Sequence, residues 1–192
     1  MLILEKSLGK GAVRECYEHP ADKTKCVKVL LPNADPTIFQ KEYENYSVVK
    51  DVLGNYIIPC EKELVETNKG LGMICDRLID DDGLPSKMIF EIQLDDEIRE
   101  GLNSFFKLLL DHNLFFYDFN LHNFAIQIKN GKKQLKYIDL KSFRHNHSWC
   151  FLKLENVSNF LARIIIIRRM KRVYGPLRFE IPSFLNHNET HL

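Results

Sequence analysis

The chain has 192 residues, 45% of them hydrophobic, enough for one domain or for two small lobes sharing a cleft. Its formal net charge of +1 gives no bulk electrostatic argument for a nucleic-acid partner. The apolar start is cut short by Glu5, no run reaches the roughly 18 residues of a membrane span, and the five cysteines are scattered without a C-x-x-C pair. The expectation is a reduced, cytoplasmic protein.

The first part of the chain reads as short strands with one helix. Strands are expected over 2–8 and 13–18, flanking Gly9-Lys10-Gly11, and again over 25–31. Asp35 offers a helix N-cap with Pro36 at the first helical position. Phe39, Tyr43, Tyr46, Val49 and Leu53 recur at helical spacing until Gly54-Asn55 stops the pattern. Residues 56–58 and 71–75 supply further strand-like runs. After a loop rich in Asp, Gly and Pro at 80–85, a helix is expected over 95–112. It carries Ile98, Leu102, Phe105, Phe106 and Leu109 on one face, with Asn113 as a left-handed cap. Residues 124–128 and 135–140 read as a hairpin around Asn130-Gly131 with a connection longer than two residues. A last helix is expected over 156–174. Strands early and helices late argue for an α+β chain with segregated lobes, 1–76 and 77–192.

Five fragments carry chemistry. Gly9 and Gly11 lie between two strands, where backbone N–H groups can approach phosphates without a Cβ in the way, although Arg14 stands at the place of a third glycine. Lys28 sits inside an apolar strand. Glu42 falls in the middle of the apolar helical stripe, whereas Glu44 points to nearly the opposite face. A carboxylate embedded there needs a cation, and Lys28 is the natural candidate. Asp118 precedes Asn123 by five positions, between an amphipathic helix and a hairpin, where the Asp can orient a hydroxyl and the Asn can hold a metal. Asp139 emerges from a strand directly after the hairpin, so Asn123 and Asp139 together suffice for magnesium, which keeps several water and phosphate ligands. The plainer readings are a hairpin turn, a solvated lysine, a snorkelling glutamate and capping Asp or Asn residues. Each covers one fragment and none covers the order.

That order resembles the protein-kinase-like superfamily. More narrowly, the Gly-Lys-Gly turn, Lys41-Glu42-Tyr43-Glu44-Asn45-Tyr46 and Phe116-Tyr117-Asp118-Phe119-Asn120-Leu121-His122-Asn123 are similar to the small bacterial YrbL family, associated by name with the PhoP regulatory network. The resemblance implies a small bilobal kinase-like fold, with an antiparallel sheet and one helix in the first lobe and a reduced, mainly helical second lobe. It implies ATP and Mg2+ as cofactors. Gly9 and Gly11 would cover the nucleotide and Lys28, held by Glu42, would contact its phosphates. Asp118 would be the catalytic base, and Asn123 and Asp139 the metal ligands. Cys75, Asp76 and Arg77 would lie in the hinge whose backbone pairs with adenine.

The chain also departs from the kinase pattern. Phe116-Tyr117 replaces His-Arg, Leu140-Lys141 replaces Phe-Gly, and Asn120 stands where a lysine is usual. The shortened second lobe leaves little platform for a protein substrate. The expected function is a phosphotransferase acting on a hydroxyl of a small molecule, a glycan or a protein. The alternative is a nucleotide-binding pseudokinase serving as a regulatory module. His145-x-His147 reads as a solvated loop rather than a metal site. Arg168, Arg169, Lys171 and Arg172 read as the charged outer face of a core helix, with weak contact to a membrane surface or a protein as the other reading.

Overall fold

The computed structural model describes residues 1–114, 116, 118–140 and 155–186, the stretch 155–162 as backbone only. Tyr117, Lys141 and the His145-x-His147 pair lie outside the described residues. The chain divides into two compact units, Met1–Ser86 and Lys87–Leu192, where the sequence reading set the boundary after residue 76.

The first unit is a five-stranded antiparallel sheet with one helix. Its strands are β1 (Ser7–Lys10), β2 (Arg14–Glu18), β3 (Lys25–Leu30), β4 (Cys60–Thr67) and β5 (Gly70–Asp76), in the spatial order β1-β2-β3-β5-β4. The two-residue period of β3 divides its side chains between two clusters. Val27 and Val29 pack with Leu4 and Tyr17, while Cys26 joins Phe39, Met73 and Cys75. Phe39 belongs to α1 (Ile38–Leu53), so the helix covers the second of these faces. Gly72 on β5 has no room for a side chain, because a Cβ there would stand 2.5 Å from Val27 Cγ1 and 3.2 Å from Thr67 Cγ2. Gly72→Ala is therefore expected to destabilise the chain by about 1–3 kcal/mol, seen as a lower urea midpoint. An unchanged midpoint would mean that β3 and β5 separate more easily than this packing implies.

Three expectations need correction here. The first strand begins at Ser7, not at residue 2: the Leu2 N–H donates to the Glu66 carbonyl (2.7 Å) and the Leu4 N–H to Asn68 Oδ1 (2.8 Å), tying the N-terminal segment to the far hairpin. Asp35 does not cap the helix directly. Its carboxylate accepts from the Thr37 N–H and hydroxyl, a local turn that delays the helix until Ile38. Residues 54–56 form a 3₁₀ turn, and the strand expected at 56–58 lies instead at β4. Glu61, Lys62 and Glu63 are exposed on that edge strand, and an irregularity between Cys60 and Leu64 breaks its alternation, so no apolar pattern marks it.

In the second unit, α2 (Asp96–Asp111) starts at Asp95, whose side chain accepts from the Ile98 N–H at 3.1 Å. Its buried face holds the five residues expected from the spacing. Asn113 ends it in the left-handed region (φ 51°), with the Leu114 N–H donating back to the Leu109 carbonyl at 2.8 Å. Strands β6 (Lys87–Met88), β7 (Phe124–Lys129) and β8 (Lys132–Tyr137) form a three-stranded sheet in that order. Lys129 pairs with Lys132, so the β7–β8 connection is only Asn130-Gly131, both at positive φ (52° and 71°), a tight turn rather than the longer one expected. The polar residues Lys129, Lys132, Lys133 and Gln134 extend the ladder beyond its apolar part, which hid the register. Helix α3 (Glu155–Leu177) buries Ile166, Ile167, Met170, Val173, Tyr174 and Leu177, while Arg168 and Arg172 are exposed and Arg169 and Lys171 partly covered. A short α4 (Ser183–Asn186) follows. Among the described residues no helix is long and apolar enough to cross a membrane.

Candidate functional site

Glu42 occupies the middle of the buried face of α1 and is 2% exposed. One carboxylate oxygen accepts from Lys28 Nζ at 2.6 Å, as expected from the sequence, and the other accepts from the Arg14 guanidinium, which was not expected. Burial alone would raise the Glu42 pKa, but the Lys28 and Arg14 charges outweigh it and hold the carboxyl below its usual range. For Lys28, burial opposes the charged form. The neighbouring Cys75 sulfur and the Glu42 carboxylate overcome that, and its pKa is raised. The sequence held a clue to Arg14 in strand parity. Cys16 stands opposite Lys28 and Arg14 opposite Leu30, so Arg14, Cys16 and Lys28 share one face of the sheet.

Gly9 lies in β1 and Gly11 in the turn, where the Gly11 N–H donates to the Arg14 carbonyl at 2.8 Å. Neither glycine has a positive φ. A Cβ on Gly9 would meet nothing within 4 Å, and one on Gly11 only the Arg14 carbonyl at 3.5 Å, an ordinary contact. The chain's own packing therefore does not demand glycine at either place. Cys75 and Asp76 close β5, and Arg77 follows. The Asp76 N–H donates to the Pro59 carbonyl (2.9 Å) and the Arg77 N–H to the Thr24 carbonyl (2.8 Å), so those two backbone donors are engaged inside the protein. Their side chains pair with Lys25 (2.7 Å) and Glu18 (2.8 Å).

The second unit brings Asp118, Asn123 and Asp139 into one loop-and-strand arrangement. The Asp118 carbonyl accepts from the Tyr137 hydroxyl at 2.8 Å and from the Asn123 side-chain amide at 3.3 Å. Its carboxylate accepts from the Asn120 N–H at 3.2 Å, and Asn120 in turn accepts from the His122 N–H at 3.0 Å, starting the 3₁₀ turn Leu121–Asn123. The Asn123 carbonyl accepts from the Ile138 N–H at 3.0 Å, which places Asn123 beside the strand exit that carries Asp139. Asp118 is exposed and Asp139 is 5% exposed. Beneath the loop lies an aromatic core. Phe116 meets Tyr137 edge-on at 4.8 Å, and Phe119 meets Phe106 at 5.2 Å. Phe116, which replaces the usual histidine, thus anchors the loop by packing. The roles of Asn120 and Tyr137 were not foreseen. An Asn two residues after an Asp is a turn signal, but nothing local points to Tyr137.

The donor set at Asn123 and Asp139 is oxygen only. Among the described residues no group of three or more His, Cys, Asp or Glu side chains converges on a metal position. Oxygen donors of this kind suit a hard cation that keeps water or phosphate ligands.

A five-stranded antiparallel sheet with a single helix, followed by a helical unit with a short hairpin, is the α+β fold of protein kinase domains. The kinase domain of Mycobacterium tuberculosis PknI superposes with a TM-score of 0.50 at 15% identity, covering 87% of this chain and 71% of that one, a likeness of fold alone. The family described as PhoP regulatory network protein YrbL matches residues 1–178, and the chain belongs to it. The uncharacterized protein YrbL of Escherichia coli (strain K12) is 26% identical over 129 residues, 66% of this chain and 61% of that protein. The YrbL protein of Shigella flexneri matches to the same extent. The chain thus aligns with less than two thirds of the length of these relatives.

Proposed function

We propose that this protein is an ATP- and magnesium-dependent phosphotransferase that moves the γ-phosphoryl group to a hydroxyl of a small-molecule, glycan or protein acceptor. The observation that carries the reading is the buried pairing of Lys28 with Glu42, because a lysine fixed this way is a pre-oriented cation for phosphates. Gly9 and Gly11, which the fold itself does not require, let backbone N–H groups come close to the nucleotide. At Cys75, Asp76 and Arg77, adenine recognition would rest on carbonyl oxygens, since the Asp76 and Arg77 N–H groups are engaged. Asp118 orients the acceptor hydroxyl and takes its proton late in the transfer. Asn123 and Asp139 would hold magnesium, which supplies charge neutralisation on the phosphates. The setting is a reduced cytoplasm, and the exposed Arg168 and Arg172 offer at most a weak surface contact.

A second reading has its own observation. Asn120 holds the place of the usual lysine and is used as a turn cap, so the loop retains its shape without that cation. This favours a nucleotide-binding pseudokinase acting as an interaction module.

Magnesium–ATP is expected to stabilise the chain, by about 2.7 kcal/mol at a nucleotide concentration near 100 times Kd, read as a higher Tm. Asp139→Asn should remove the magnesium-dependent part of that shift and leave the Tm without nucleotide nearly unchanged. No shift in the unaltered chain would sink both readings. Binding with no transfer to any acceptor would leave the module.

A further inference from the structure

Arg14 stands where the kinase glycine turn usually has its third glycine, and the fold uses it twice. Its backbone closes the turn, since the Arg14 carbonyl accepts from the Gly11 N–H at 2.8 Å. Its side chain leaves the first position of β2 on the face that also carries Lys28, because Cys16, two residues on, stands directly opposite Lys28. One residue thus fixes the rim of the turn and sends a cation under it.

That cation meets the carboxylate that Lys28 uses. Lys28 Nζ donates to one oxygen of Glu42 and an Arg14 guanidinium nitrogen donates to the other. Two groups bonded to opposite oxygens of one carboxylate are close neighbours, a spacing that suits successive phosphates of a polyphosphate. Glu42 carries a single charge, and Lys28 already answers it. Lys28 and Arg14 are only 12% and 15% exposed, and holding a second charge at such a place costs desolvation. A polyanionic ligand offsets that cost. The guanidinium also has five N–H donors in a planar fork, more than one carboxylate oxygen takes up, and the fork matches two phosphate oxygens at once.

We propose that Arg14 is a second phosphate-binding cation of the nucleotide site, gripping the polyphosphate beside Lys28 and selecting nucleotides over bare nucleosides. Glu42 then acts as a hub that orients both cations toward the ligand, while Gly9 and Gly11 admit the phosphates from the turn side. The inference rests on the nucleotide reading above and adds to it a residue and a selectivity.

The test titrates the full chain with magnesium–ATP by calorimetry and with millimolar adenosine by NMR. Arg14→Met leaves Glu42 paired with Lys28. It should weaken magnesium–ATP by about 10–100-fold and leave adenosine, which has no phosphate, bound as before. Arg14→Lys keeps a cation for Glu42 but lacks the fork, and its affinity for magnesium–ATP should fall between the two. In the unaltered, nitrogen-15-labelled chain, the Arg14 guanidinium signal should move with magnesium–ATP and stay in place with adenosine, a readout that does not depend on a variant folding. Undiminished magnesium–ATP binding by Arg14→Met, an equal loss for both ligands, or a guanidinium signal indifferent to magnesium–ATP overturns the proposal and leaves the nucleotide reading standing. Absence of magnesium–ATP binding in the unaltered chain overturns both.

Discussion

Replacing Glu42 with alanine is expected to destabilise the first unit by about 3–5 kcal/mol, a large part of the stability of a chain this size. The carboxylate is 2% exposed and meets both Lys28 and Arg14, whose side chains are only 12% and 15% exposed. Removing it takes the carboxylate from two cations that have poor access to water. Chemical denaturation should report the loss as a lower midpoint with little change in slope. Lys28→Met combined with Glu42→Leu should recover only the part due to Lys28, because Arg14 still loses the Glu42 carboxylate. If Glu42→Ala alone is nearly neutral, the cluster is solvated and the phosphate-binding argument weakens with it. The pH dependence follows from the same charges. The folded Glu42 pKa lies below its unfolded value, so its contribution is complete above the ordinary carboxylate pKa of about 4.3 and disappears as pH falls through the folded value. Lys28 has the opposite sign. Its contribution is complete below the ordinary lysine pKa of about 10.4 and is lost as pH rises through its raised folded value. Glu42→Gln should flatten the acid limb selectively.

The second large effect is expected at Asp118. Asp118→Asn should lower phosphoryl transfer by about 10²–10⁴-fold while leaving magnesium–ATP binding in place. The substitution is mild for the fold. Tyr137 and Asn123 hold the Asp118 backbone carbonyl, not its side chain, and an amide oxygen can still accept the Asn120 N–H. A fall in rate without a change in Tm or Kd therefore isolates the proton-handling role. Equal transfer by the variant would remove Asp118 from the chemistry, and with it the main reason for calling the loop catalytic.

Helical periodicity made part of this site legible in advance. An apolar stripe defines a buried face from spacing alone, so a carboxylate within it had to find a cation, and Glu42 does. The same logic placed the buried face of α2, and local turn chemistry marked its ends at Asp95 and Asn113. The Asp118 loop was visible because its spacing to Asn123 and the flanking elements are local features. What failed were statements about edges and registers. The charged strand β4 carries no apolar alternation, and Asp35 was assigned a cap that its own turn with Thr37 displaces.

The amino-acid order by itself determined which side of each helix is buried, where α2 begins and ends, and that Glu42 needs a positive partner. Only the tertiary structure decided that the partner is shared between Lys28 and Arg14, and that Tyr137 anchors the Asp118 carbonyl. The physical reason is that spacing along an element fixes a direction about its own axis. Which strand lies beside which, and in what register, is set by hydrogen bonding and packing between segments that one-dimensional spacing does not encode.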